Sequence, residues 1–460
     1  DPEAWWQATV AAVRQATSTA GPGCAIKAIG LSGQMHGTVL MDRDGEPVAP
    51  AIIWSDLRSA ASAAAITSAV GRDRLIEIAG SPIAAGFQAA TIHWLRRARP
   101  ELWSRSKKVL LPKDYLRYRL TGVYATDPSD ATATLLLDAR TRQWSPVLLD
   151  ATGIDPTQLP AIVPSSAVTG ELTGEAARDL GLTAGIPFVG GAGDAAAAAV
   201  GAGVIDPSTL LLTLSSGAQA LAPAMTPSVD AKGRIHTFCS AFEPGEGRAG
   251  WNLMGATMSA GLALRWLRHD LFHLKDGALF DDLDAAATVP TGSDGLLFLP
   301  SLTGERTPHM NPKARGILIG LSPEHGRAQL TRAVLEGVAM ALYDAFLVVQ
   351  ETGANPERIV LAGGGSRSHL WRQIIADLFG LPLVPLTIDE QSAYGAAILA
   401  TSVTGGSPVD LARQWASYGH PVEPDATRHA RYRELHALFR ETYAANERIF
   451  DRLATFRMLD

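Results

Sequence analysis

The chain has 460 residues, 47% of them hydrophobic and 19% charged, with a formal net charge of −6. That length supplies two hydrophobic cores rather than one, and the mildly acidic, scattered charge gives no electrostatic footing for nucleic acid or an anionic membrane. Its two cysteines, Cys24 and Cys239, lie far apart and outside any Cys/His cluster, which argues against a zinc site or a disulfide framework and for a reducing, cytoplasmic setting.

Asp1 as N-cap and Pro2 at the first helical position open a helix whose Trp6, Val10 and Val13 share one face. A start directly on a structured helix, with Asp in place of Met, sets the expectation that an upstream segment is missing. Apolar runs of strand length then alternate with helix-period segments, the pattern of an α/β fold. Residues 26–31, 38–42 and 50–54 read as strands, with a tight loop at 32–37 and a hairpin turn at Arg43-Asp44-Gly45. Helices are expected over 57–70 and 88–98, and strands at 187–191 and 209–215. Asp206-Pro207 reads as a domain junction, because the residue before proline is driven out of helix. A helix over 329–352, a strand at 358–361, a helix over 370–379 and a charged helical tail at 427–456 complete the pattern. Apolar stretches such as 195–205 are too short to span a bilayer.

Five turns carry residues suited to chemistry. Gly190-Gly191-Ala192-Gly193-Asp194 follows a strand and precedes an alanine run. Asp194 reads there either as a helix cap or as a carboxylate placed to take a proton from a substrate hydroxyl. The same stretch fits a dinucleotide fingerprint, but the acid required about 20 residues on is missing from 211–215. Ser215-Ser216-Gly217-Ala218 reads as a plain hairpin turn or as a loop whose backbone amides approach a phosphate. Gly363-Gly364-Gly365-Ser366-Arg367-Ser368 lets a flat ligand lie against bare backbone, or makes a wide turn. In Ser32-Gly33-Gln34-Met35-His36-Gly37 the histidine can both donate and accept hydrogen bonds, as a polyol requires, or serve the loop alone. Gly304-Glu305-Arg306-Thr307-Pro308-His309 is either an internally paired loop or a cleft border, and no Walker A motif occurs.

These turns run collinearly with Asp1-Pro2-Glu3-Ala4-Trp5-Trp6, Trp54-Ser55-Asp56-Leu57-Arg58, Leu111-Pro112-Lys113-Asp114-Tyr115, Thr126-Asp127-Pro128-Ser129-Asp130-Ala131 and Ala333-Val334-Leu335-Glu336-Gly337. In this order, over nearly the whole chain, they resemble the FGGY carbohydrate kinases, and Ser32-Gly33-Gln34-Met35-His36-Gly37 resembles the branch acting on xylulose. The resemblance implies two actin-like (ribonuclease H-like) ATPase domains with a cleft between them that closes about residues 202–206. Residues 1–205 would be a sugar-binding domain lacking its N-terminal hairpin, and 206–460 a nucleotide-binding domain with C-terminal helices. It implies ATP-dependent conversion of D-xylulose to D-xylulose 5-phosphate, with Asp194 as general base and Met35, His36 and Asp194 contacting the sugar. Ser215, Ser216 and Gly217 would bind phosphate, Gly363, Gly364, Gly365 and Ser368 would line the adenosine pocket, and Mg²⁺ would arrive with the nucleotide rather than on a protein metal site.

Three departures from the family pattern bear on this. Its first phosphate loop, a D-x-G-T-S turn, is absent and belongs upstream of Asp1; Ala195 stands where Asn is usual, and Thr91 where Lys is frequent. Another pentulose or polyol is therefore the alternative substrate, and a non-catalytic actin-like binding protein the alternative of another class. The expected partners are the sugar and ATP, with no nucleic acid and no membrane, and a homodimer stays open.

Overall fold

The computed structural model describes residues 1–21, 23–245, 248–274 and 279–457. The chain divides into two compact units: Asp1–Ile205 with Pro223–Asn252 and Glu390–Ala416, and Asp206–Ala222 with Leu253–Asp389 and Ser417–Asp460. The first cut falls at 205/206, but neither unit is one uninterrupted stretch, since 223–252 and 390–416 return to the first.

In the first unit short ladders replace the expected long strands. Ser32–Gly33, expected as loop, pairs in parallel with Ala192–Gly193. Residues 26–31 run beside Pro187–Val189 through an Ile29 amide donating to Pro187 O at 2.9 Å, without a regular ladder. The strand expected at 50–54 reduces to one bridge between Thr38 and Ile52. Helix Ala60–Val70 starts three residues later than its apolar pattern predicts. The Asp56 carboxylate accepts from the Arg58 amide at 3.0 Å, a local turn that competes with helix. Trp6 and Phe188 fill one core, Ile66, Leu75 and Ile92 another. The Asp194–Gly201 and Gln391–Ala400 helices of this unit cross backbone to backbone. A Cβ on Gly201 would sit 2.0 Å from Gln391 O, and one on Gly395 would sit 1.9 Å from Ala197 O, so only glycine permits the approach.

The second unit is built on a sheet in which Thr209–Leu214 is antiparallel to Ala218–Ala224 and parallel to Arg358–Ala362, itself parallel to Leu383–Pro385. Parallel pairing needs crossovers, and Arg327–Glu351 and His369–Phe379 supply helices between these strands. Arg327–Glu351 is long and apolar enough to cross a membrane by length and composition, which corrects the expectation from the apolar runs. Most of its side chains are buried in the unit's own core, as for the central helix of a globular domain.

Glu336 on that helix ties three elements. Its carboxylate accepts from Arg332 Nε at 2.7 Å, Tyr432 OH at 2.8 Å, Gly292 N at 3.1 Å and Ser293 Oγ at 2.8 Å. Burial first, and the anionic neighbour next, hold the Tyr432 phenol far above its ordinary pKa. Glu336→Ala would leave the Arg332 charge uncompensated and is expected to destabilise this unit by about 3–5 kcal/mol. Thermal unfolding of the variant measures it; a loss no larger than that of a surface substitution would contradict the assignment.

Candidate active site

The first unit carries the acid turn. Gly193, not Asp194, takes the N-cap position, and Asp194 is the first helical residue, its carboxylate accepting from the Ala195 amide at 2.7 Å. The cap reading of Asp194 is corrected accordingly. Its side chain keeps a solvent-facing surface, yet the crowding around it raises its pKa above the ordinary aspartate value, opposed by the Ala195 hydrogen bond. A carboxylate of raised proton affinity is a stronger base than a free one.

The turn is held from beneath. Arg117, wholly buried, donates from Nη1 to Val189 O at 2.9 Å and from Nη2 to Gly190 O. The Gly191 amide donates to Ser165 O at 2.8 Å, and the Gly193 amide to Ser129 Oγ at 3.1 Å. Ser129 and Ser165 hydroxyls both donate to Asp127 Oδ2. Under them Lys113 pairs with Asp114, with Asp127 at 3.1 Å and with Asp130 at 3.6 Å, all four side chains sealed from solvent. Burial pulls the Lys113 ammonium down, and its aspartates, Asp114 foremost, more than reverse this. Burial pushes Asp130 well up, Lys113 opposes, and Asp114, Asp127 and Asp194 add to the rise.

Met35 is buried against this turn: a Cβ on Gly193 would lie 3.0 Å from its Cγ. His36 is half-buried with φ of 71°, a backbone conformation costly for a residue with a Cβ. Its Nδ1 lies 2.7 Å from Ala133 O, which only accepts, so Nδ1 carries the proton. The ring stacks on Phe87 at 4.0 Å, and Phe238 and His236 continue the aromatic cluster, with Ser81 Oγ 2.5 Å from His236 Nδ1. Sequence reasoning missed Phe87, His236 and Phe238, whose grouping spans 150 residues of chain and has no local signal.

The second unit carries a cavity of about 830 Å³. Register makes it: Thr213 pairs with Ala362, so the turns that follow the two strands emerge together. Gly363 has φ of 82°, and a Cβ there would lie 2.3 Å from Leu214 O. Ser215, Ser216, Gly364, Gly365 and Ser368 all line the cavity, whereas Gly217 and Gly363 are not among its lining residues. Ser215-Ser216-Gly217 is thus a hairpin turn and a cavity wall at once, its Ser215 amide donating to Gly217 O at 2.9 Å. Ser368 also caps the following helix, accepting from the Trp371 amide at 3.2 Å. Gly261, Leu264, Arg265 and Trp371 were not anticipated as lining residues. The volume suits a nucleoside-sized ligand, with apolar walls and bare backbone at the two turns.

The Gly304–His309 stretch is internally paired in this unit. Glu305 is buried, and burial above all lifts its pKa to about 7. His309 stacks on Tyr443 at 3.4 Å, and burial lowers its pKa to about 4.

Two α/β units, one with an acid turn and one with paired turns over a cavity, make a two-domain actin-like ATPase. Residues 1–201 match the N-terminal domain of the FGGY family of carbohydrate kinases and residues 215–403 its C-terminal domain. The chain belongs to that family and is a sugar kinase of an ATP-dependent class. It is 39% identical over 450 residues to the xylulose kinase of Escherichia coli K12, covering 96% of this chain and 90% of that one. It is 32% identical over 414 residues to the gluconokinase of Bacillus subtilis 168, covering 88% and 79%. The ligand-bound xylulose kinase of Lactobacillus acidophilus superposes with a TM-score of 0.92 at 27% identity, covering 98% of this chain and 91% of that one.

Two of the shifted groups in the 304–309 loop, His309 and Glu305, act oppositely on stability. His309 is depressed from 6.5 to about 4, so its contribution is whole above pH 6.5 and lost as pH falls toward 4. Glu305 is raised from 4.5 to about 7, so its contribution is whole below pH 4.5 and lost as pH rises through 7. His309→Phe keeps a ring against Tyr443 without a titrating group. Relative to wild type it is expected to gain up to about 3 kcal/mol between pH 6.5 and 4. Parallel pH–stability curves for the two proteins would contradict the burial of a neutral His309.

Proposed function

We propose that the chain transfers the γ-phosphoryl group of ATP to the 5-hydroxyl of D-xylulose, with Asp194 as general base. The observation that carries the reading is the Asp194 carboxylate: solvent-facing, raised in proton affinity, and fixed on a turn by buried donors. Asp194 takes the hydroxyl proton as the substrate oxygen bonds to the γ-phosphorus. The bond from that phosphorus to the β–γ bridging oxygen breaks, and ADP leaves. The first unit, with His36 and Met35 beside the acid turn, is assigned to the sugar. The second unit is assigned to the nucleotide, with Ser215, Ser216 and Gly217 toward the phosphates and Gly363, Gly364, Gly365 and Ser368 around the adenosine. Mg²⁺ would come with the nucleotide, held through its phosphates and water. There it would neutralise phosphate charge.

D-Xylulose is favoured by the 39% identity to a xylulose kinase and by the Ser32–His36 sequence. A second reading, a different polyol or a sugar acid, draws on the gluconokinase relative, on Ala195, and on Thr91, whose buried hydroxyl lacks a hydrogen-bond partner.

A coupled ADP-release screen over pentuloses, polyols and gluconate tests the substrate. D-Xylulose is expected to give the highest kcat/KM; a higher value for gluconate would replace the first reading by the second. Asp194→Ala is expected to lower kcat by about 10²–10⁴ with the melting temperature kept. Near wild-type turnover in that variant would refute the base assignment. His36→Ala is expected to weaken sugar binding by about 1–3 kcal/mol, raising the sugar KM and sparing that of ATP. An equal rise in both would count against a sugar-facing histidine.

A further inference from the structure

The turn at residues 258–261 is the least obvious wall of the second unit's cavity. The Ala260 amide donates to Ser216 O at 2.8 Å, the Gly261 amide to Ser215 O at 2.8 Å and the Leu262 amide to Ser216 O at 3.0 Å. A Cβ on Gly217 would lie 2.8 Å from Thr257 O, so the two turns are in close contact. Ser215, Ser216 and Gly261 face the cavity itself. What fixes this turn from behind is Glu305. Its Oε1 accepts from the Met258 amide at 3.3 Å and from the Arg306 amide at 2.9 Å, and its Oε2 from Ser301 Oγ at 3.3 Å. The same loop is pinned to the neighbouring strand by a Thr307 amide donating to Ala256 O at 3.0 Å and an Ala256 amide donating to Thr307 Oγ1 at 3.1 Å. Ser259 Oγ lies 3.4 Å from Thr303 Oγ1.

We propose that Glu305 is a positioning residue for nucleotide binding: as a carboxylate it holds the 258–261 turn, and through it the Ser215–Ser216 wall, in the shape that receives the phosphates of a nucleoside diphosphate or triphosphate. The inference rests on the reading of this cavity as the nucleotide site. Glu305 touches no ligand in this account. It acts through two backbone amides, and hydrogen bonds to an ionised acceptor are roughly twice as strong as neutral ones.

The burial that orients Glu305 also brings its titration to about pH 7. The ionisable groups bearing on it are Arg306 of its own loop, Asp344 of the Arg327–Glu351 helix, which raises it, and Tyr443 of the last helix. Protonation below that pH weakens the hold on the Met258 amide. The nucleotide therefore prefers the protein with Glu305 ionised, and binding near pH 7 drives part of a proton from Glu305 into solvent.

Calorimetric titration of the whole chain with ADP between pH 6 and 8.5 is the test, in buffers of different ionisation enthalpy. Glu305→Gln keeps the side-chain shape and mimics the protonated acid at every pH. It is expected to bind ADP about tenfold more weakly than wild type at pH 8.5 and about equally at pH 6. The titration of ADP's own phosphates is common to both proteins and cancels in the comparison. A merely structural glutamate would not change proton release, whereas here the variant is expected to lose the component seen near pH 7 in wild type. Gly364→Phe, at a position where a Cβ meets nothing within 4 Å, fills the cavity and separates the two readings. If it binds ADP like wild type, the cavity is not the nucleotide site and both readings fall. If it abolishes binding while Glu305→Gln matches wild type in affinity and proton release, the Glu305 inference alone is overturned.

Discussion

One buried ammonium group and the aspartates around it set the geometry of the first unit. Lys113 lies between Asp114, Asp127 and Asp130 with no access to water, and Asp127 passes the constraint upward through the Ser129 and Ser165 hydroxyls. Ser129 receives the Gly193 amide, one residue before Asp194. Arg117 fixes the two carbonyls at the other end of the turn. Such a cluster is a costly way to gain stability, because each charge gives up its hydration. What it provides is a single arrangement: removing any partner strands the rest in a low dielectric, so the turn has no cheap alternative shape.

The second unit reaches its cavity by a different route. There a parallel strand register, Thr213 beside Ala362, delivers two glycine-bearing turns to one place, and steric necessity at Gly363 keeps the backbones in contact. A glycine turn presents amides without side chains, so a ligand meets fixed dipoles rather than mobile groups. The two halves of the proposed chemistry are thus stabilised differently, one by buried charge and one by backbone packing with a buried glutamate behind it.

The parts of the site that were legible in sequence are those whose signal is local. A glycine cluster between a strand and a helix announces a special turn, which singles out 190–194 and 363–365; the proposed role of Asp194 as base comes from the family resemblance and not from the local sequence. Lys113, Asp114, Asp127 and Asp130 were visible only as letters in motifs, because nothing in a sequence says that an ammonium and three carboxylates share one dry pocket. The aromatic cluster of Phe87, His236 and Phe238 around His36 was hidden for the same reason, as was the return of 223–252 and 390–416 to the first unit. At 26–31 and 50–54 the apolar runs suggest longer strands than form, since they pair at single points instead of along a ladder. The helix begins at Ala60 rather than at 57, because the Asp56 side chain holds the preceding turn.

The dependence of the acid turn on the Lys113 cluster can be measured by backbone amide exchange of the segment 187–194 in Lys113→Met and in wild type. The substitution keeps the volume of the side chain and removes its charge, leaving Asp127 without the ammonium in the interior and Asp114 with Arg117 alone. The account predicts much faster exchange at the Gly191 and Gly193 amides, with the strands Thr209–Leu214 and Arg358–Ala362 of the second unit exchanging as before. Unchanged protection at Gly191 and Gly193 would contradict it, since the turn would then hold its shape without the charge beneath.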